Sequence, residues 1–191
     1  MKHLTFILLG LSAFAASPAA AQMSGNPGYD FVEAVKKSDG DKAISVLETH
    51  PSGIVNTKDG DGNPGLIIAI SRRDEAWTGF LLNKGADINL AGKGGDTPLI
   101  AASRIGFTQA AQWLIDLHAK VDVPNRMGET PLIIAVQQHA AQIVQMLLAA
   151  GADPDRSDAA AGYSARDYAK RDARARDILK LIEEKRPKPA K

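Results

Sequence analysis

Residues Gly95-Asp96-Thr97-Pro98-Leu99 return as Gly128-Glu129-Thr130-Pro131-Leu132, a displacement of 33 positions, and no other feature limits the folds open to this 191-residue chain as tightly. A period of that length belongs to a chain built by stacking one small unit, because each unit can bury its apolar face only against its neighbours. The local chemistry of the motif is that of a helix start. Thr97 and Thr130 supply a hydroxyl oxygen for an N–H that the first turn leaves without a partner. Pro98 and Pro131 follow at N1, where no donor is missed, and Gly95 and Gly128 suit a turn that needs positive φ. Alanines recur at 69, 102, 135 and 169, small enough for neighbouring helices to approach closely. Twelve residues beyond each stand Leu81-Leu82, Leu114-Ile115, Leu147-Leu148 and Leu181-Ile182, the spacing of a second helix facing the first.

The pattern resembles the ankyrin repeat family over about 155 residues, from Tyr29 to Arg186. Gly85-Ala86-Asp87-Ile88-Asn89 and Gly151-Ala152-Asp153-Pro154-Asp155 resemble that family's Gly-Ala-Asp-Val-Asn exit, with glycine as a left-handed helix stop. The resemblance implies an all-α solenoid of helix-turn-helix units joined by hairpin-like fingers. Its units would be an amino-terminal cap at 29–58, repeats at 59–91, 92–124 and 125–157, and a closing cap at 158–186. Departures are informative. Pro64-Gly65 stands where Thr-Pro is expected, so that helix should start less cleanly. Ile67, Ile100 and Ile133 replace the family's histidine and remove a hydrogen-bonding link between units. His118 occupies a glycine stop, and the last unit arrives one residue late, with Ser164 as its cap.

Hydrophobic residues make up 45% of the chain and charged ones 24%, a composition of folded rather than disordered protein. Lys2 and His3 precede an apolar run from Leu4 to Ala16, and Ala19-Ala20-Ala21 closes it with the small-x-small pattern of a secretory cleavage site. We expect residues 1–21 to be a signal peptide cleaved after Ala21, residues 22–28 a flexible leader and 187–191 a disordered tail. The run is too short for a membrane span, which takes roughly 20 residues. The expected location is the periplasm or the medium outside, with no stable membrane insertion after cleavage. Cysteine is absent, which removes disulfides, thiolate chemistry and cysteine-bound metal. Cleavage takes Lys2 and no acid, leaving 22 basic against 22 acidic side chains, a balance that argues against nucleic acid.

Chemistry is hard to find. Asp59-Gly60-Asp61-Gly62-Asn63 opens like a calcium loop, then places Pro64 where the turn glycine belongs and Ile70 where a closing glutamate belongs. We read it as a polar finger turn and assign no metal. Asp153, Asp155 and Asp158 lack the same completing residues. His50, His118 and His139 are scattered one to a unit, and no Gly-x-Ser-x-Gly, Walker or dinucleotide motif is present. The expectation is a non-enzyme without cofactor. Trp77 and Trp113, on the second helices, read as packing residues.

Function is then implied by the resemblance: ankyrin-like stacks hold another protein with their finger tips and first helices. Carried onto this sequence, those positions are Asp61, Asn63, Arg72, Lys93, Asp96, Arg104, Ile105, Arg126, Met127, Glu129, Gln137 and Gln138. Ile105 and Met127 stand out as apolar side chains on an otherwise polar rim. The expected partner is a protein, gripped by a chain that is monomeric on its own. The alternative is an accessory subunit of an envelope enzyme that binds a small molecule or cell-wall fragment.

Overall fold

The computed structural model describes residues 25–50 and 53–184. The expected signal peptide, the first part of the leader and the terminal tail lie outside the described residues. Among the described residues, ten α-helices form five antiparallel pairs: α1 (Pro27–Lys37) with α2 (Gly40–Thr49), α3 (Gly65–Ser71) with α4 (Glu75–Asn83), and α5 (Pro98–Ile105) with α6 (Thr108–Asp116). The last two pairs are α7 (Pro131–Gln137) with α8 (Ala141–Ala149), and α9 (Ala165–Arg171) with α10 (Arg176–Glu184). The first helix of each pair stacks on the first helix of the next, and from α4 onward the second helices stack likewise. The chain is an all-α repeat solenoid.

The helix starts follow the motif chemistry. Thr97 Oγ1 accepts the N–H of Ile100 and Thr130 Oγ1 that of Ile133, while Ser164 and Asp167 cap each other reciprocally. Pro64 precedes α3 with no side-chain cap, as its departure from the motif implied. One boundary differs from the sequence reading. Pro27 and Gly28, read as the end of a leader, are the first turn of α1, because Asn26 Oδ1 accepts the N–H of Gly28 at 2.9 Å.

The core runs unbroken through the stack. Ala69, Ala102, Ala135 and Ala169 are buried where the first helices meet, and Ile100 and Ile133 are fully buried in place of the family's histidine. Of the apolar pairs, Leu81, Leu114 and Leu147 point inward, whereas in the late-starting last unit the inward residue is the second, Ile182. Each inward leucine or isoleucine contributes about 2 kcal/mol of burial relative to exposure. Outside the helices a second set of contacts stitches the units. Asn56 Oδ1 accepts the N–H of Asp87, Asn89 Oδ1 that of Lys120, and Asp122 Oδ1 that of Asp153, each reaching 31 residues along the chain.

The fingers pair edge to edge through main-chain bonds. Arg126 N–H donates to the Gly94 carbonyl and Ala159 N–H to that of Met127. At Gly128, φ is 80° and a Cβ would lie 2.4 Å from the Ala159 nitrogen, so only glycine lets these two fingers approach.

Candidate functional site

The fingers and the first helices carry the twelve positions that the sequence reading gave as contact residues. A spacing of eight recurs among them and in the last unit. Asp96 and Arg104, Glu129 and Gln137, and Tyr163 and Arg171 each consist of a finger residue and the helix residue eight positions on. In the first of these Arg104 donates from Nε and Nη2 to the Asp96 carboxylate at 2.9–3.1 Å. In the last, Arg171 lies 4.3 Å above the Tyr163 ring, a cation on a π face.

A buried polar residue at the base of three fingers ties these pairs together. Asp59, Asn125 and Asp158 each use Oδ1 to accept two N–H groups of their own finger. Their remaining atoms decide which residue type is required. Asp59 Oδ2 meets Lys36 Nζ at 3.3 Å, and Asp158 Oδ2 accepts the Tyr168 hydroxyl at 2.5 Å, so each faces a donor and is a carboxylate. Asn125 Nδ2 faces the carboxylates of Asp96 and Glu129 at 2.9 and 2.8 Å, so that position needs an amide that can donate. The fourth finger has Gly92 here. A Cβ there would sit 2.7 Å from Asn63 Oδ1, which instead accepts the Lys93 N–H.

Electrostatics follow the same contacts. Burial pushes the Asp158 carboxyl up, but the Tyr168 hydroxyl and the N–H groups of Ala161 and Gly162 outweigh it and hold the carboxyl below its ordinary value. The Tyr168 phenol is pushed up to about 12, chiefly by its bond to Asp158 and then by burial. Lys36 is partly desolvated, yet hydrogen bonds to Glu33 and Asp59 raise its pKa.

The twelve positions therefore divide by what they touch. Asp96, Arg104 and Glu129 form one network with Asn125, Arg104 Nη2 lying 3.8 Å from Glu129 Oε2, and Gln137 is half-buried near Tyr168, where its side chain slightly favours the ionised phenol. Asn63 is turned onto the next finger. Arg72 donates to the carbonyls of Val35 and Lys36 and to the Ser38 hydroxyl, binding the neighbouring unit. Ile105 is half-buried against the core. The remaining positions face solvent: Asp61 with Lys93 across 3.7 Å, Arg126, Gln138, and Met127, which is 51% exposed at a finger tip.

Trp77 packs against the core as expected, but neither tryptophan is fully covered. Trp77 and Trp113 are only half-buried and line shallow notches on the opposite, outer side, with Ile44 and Phe80 at one and Gly79 and Leu117 at the other. Their helices carry glycine or small residues where a larger neighbour would have covered the rings. Arg73 was missed altogether: its guanidinium donates forward to the Ile105 carbonyl while Arg72 reaches backward. The signal was the pair of arginines directly after α3, where two helix ends present carbonyls. Among the described residues, no three His, Cys, Asp or Glu side chains stand together as a metal site would need, and no helix is long and apolar enough to cross a membrane.

A family model for ankyrin repeats, in three copies, matches residues 66–158. No curated protein matches the chain. The matched stretch begins in α3 and ends at the Asp158 finger base, leaving the helix pairs at both ends outside it.

Proposed function

The chain belongs to the ankyrin repeat family, and on that premise we propose that it acts as an exported, non-catalytic module that grips another protein with its finger tips and first helices. Ankyrin repeats are protein-interaction units. The observation that carries the finer reading is the exposed Met127, an apolar side chain held out from a finger whose backbone is fastened on both sides. A rigid support lowers the ordering cost of binding, and an apolar anchor among Arg126, Lys93 and Gln138 is the arrangement of an interface centre with a polar rim. Beneath it the Asp96–Arg104–Asn125–Glu129 network fixes the groove floor and presents both signs of charge, which favours selectivity by complementarity.

Export rests on residues 1–21 and is tested by N-terminal mass analysis of protein recovered from the cell envelope. A mature chain beginning at Gln22 supports it, and an intact Met1 in an exported fraction overturns the cleavage. For the groove, alanine replacement of Arg126, Met127 and Gln138 together is expected to weaken a crosslinked partner's binding about tenfold or more while leaving the melt unchanged. Unaltered affinity would exclude this surface.

A further inference from the structure

Along one edge of the groove, among the described residues, two arginines form no ion pair and a neighbouring lysine shares the single carboxylate beside it. The ends of the first three inner helices present Lys37, the pair Arg72 and Arg73, and then Ile105, with Lys37, Arg72 and Ile105 at the same place in successive units. Lys37 is 73% exposed, and its carboxylate neighbour Glu33 is 3.9 Å away and shared with Lys36. Arg72 spends its hydrogen bonds on the Val35 and Lys36 carbonyls and the Ser38 hydroxyl, and Arg73 on the Ile105 carbonyl. Neutral acceptors hold the guanidinium groups in place without cancelling their charge. The acids in the same turns, Asp39 and Asp74, each commit an oxygen to the first N–H groups of α2 and α4. Two fixed arginines and an exposed lysine thus lead to a half-buried isoleucine.

We infer that this edge docks an extended acidic segment of the partner protein, two acidic side chains facing Lys37 and the Arg72–Arg73 pair and an apolar one facing Ile105. Packed helices lie about 8–10 Å apart, and a polyproline II segment advances about 3.1 Å per residue with three residues per turn, so every third residue falls on the same face of the segment and meets a new unit. A segment in that conformation with acid, acid and apolar residues spaced by three matches the row. Helix-end carbonyls alone would call for cations but not for an aligned apolar step.

The inference rests on the proposed function and deepens it. Its test uses a labelled peptide Leu-Ser-Ser-Glu-Ser-Ser-Glu-Ser-Ser-Leu, which offers the pattern in either direction, against its Gln-for-Glu counterpart and against anionic phosphatidylglycerol vesicles. The Glu peptide is expected to bind, to weaken as salt rises, and to lose about tenfold in affinity with Lys37→Gln and Arg73→Gln combined. Arg73→Lys, which keeps the charge, and Lys180→Gln on the outer helix α10 should both bind normally. Absence of binding, equal binding of the Gln peptide, no effect of the double variant, or binding to vesicles in place of peptide would each overturn the inference. Partner crosslinking separates the two readings. If Arg126, Met127 and Gln138 matter to the partner but Lys37 and Arg73 do not, only the acidic-segment inference fails; if neither set matters, the groove fails with it.

Discussion

His118 ends α6 with φ at 64°, at the place where Gly85 and Gly151 end α4 and α8 with φ at 80° and 91°. A side chain in that region brings its Cβ against a carbonyl oxygen, at a cost of about 1–2 kcal/mol. His118→Gly removes the strain but also loosens the unfolded chain, which returns about 0.4–1 kcal/mol. The expected net gain is about 0.8 kcal/mol, or a melting point about 2–3 °C higher for a domain of this size. The backbone bond from His118 N–H to the Ile115 carbonyl, 2.9 Å, survives the change. Gly151→Ala is the reciprocal experiment. No heavy atom lies within 4 Å of a Cβ built there, so backbone strain acts without a clash and stability should fall by about 1 kcal/mol. Urea unfolding followed by circular dichroism measures both, with an unchanged slope showing that the native and unfolded states compare like with like. A His118→Gly midpoint at or below the parent, beside a loss for Gly151→Ala, would refute the argument from strain.

Three further outcomes follow from the fingers. Gly128→Ala should cost about 3 kcal/mol or more, since a Cβ 2.4 Å from the Ala159 nitrogen breaks the bond between fingers, whereas Gly62→Ala, with open space around it, should cost about 1–2 kcal/mol of strain alone; urea midpoints distinguish them. Asn125→Ala leaves the N–H groups of Met127 and Glu129 without their acceptor and should lose about 2–4 kcal/mol. Asn125→Asp, although isosteric, should also destabilise at neutral pH, because a third carboxylate then faces Asp96 and Glu129. The Tyr168 phenol should titrate near 12 by ultraviolet absorbance. Because its folded value lies above the ordinary 10, its contribution is complete below about pH 10 and fades as pH climbs toward 12, and Tyr168→Phe should abolish that alkaline dependence.

Much of the architecture could be read from residues that act within a few positions of one another. Thr97, Thr130 and Ser164 each accept an N–H three residues on, and Gly85, His118 and Gly151 stop helices by their own φ. Such contacts are written in consecutive sequence. The groove was legible only as a set of positions. That Asp96 and Glu129 are joined through Asn125, or that Arg72 reaches back 37 residues to Val35, depends on how units sit side by side, a distance no local pattern encodes. The tryptophans show the opposite failure. Their helical spacing was right for packing, but coverage depends on the neighbouring helix, and Gly79 opposite Trp113 leaves the ring uncovered.

The outer notch beside Trp77 has a consequence for how the stack comes apart. Of the residues of α2, only Ala43 is buried, Ile44 is 40% exposed, and α2 does not pack closely on α4 as the later second helices do on one another. The amino-terminal pair is therefore attached mainly by α1 against α3 and by the arm of Arg72. Under heat or tension it is the leaf that peels first, pivoting on α1, and amide protons of α2 should exchange well before those of α5 or α7.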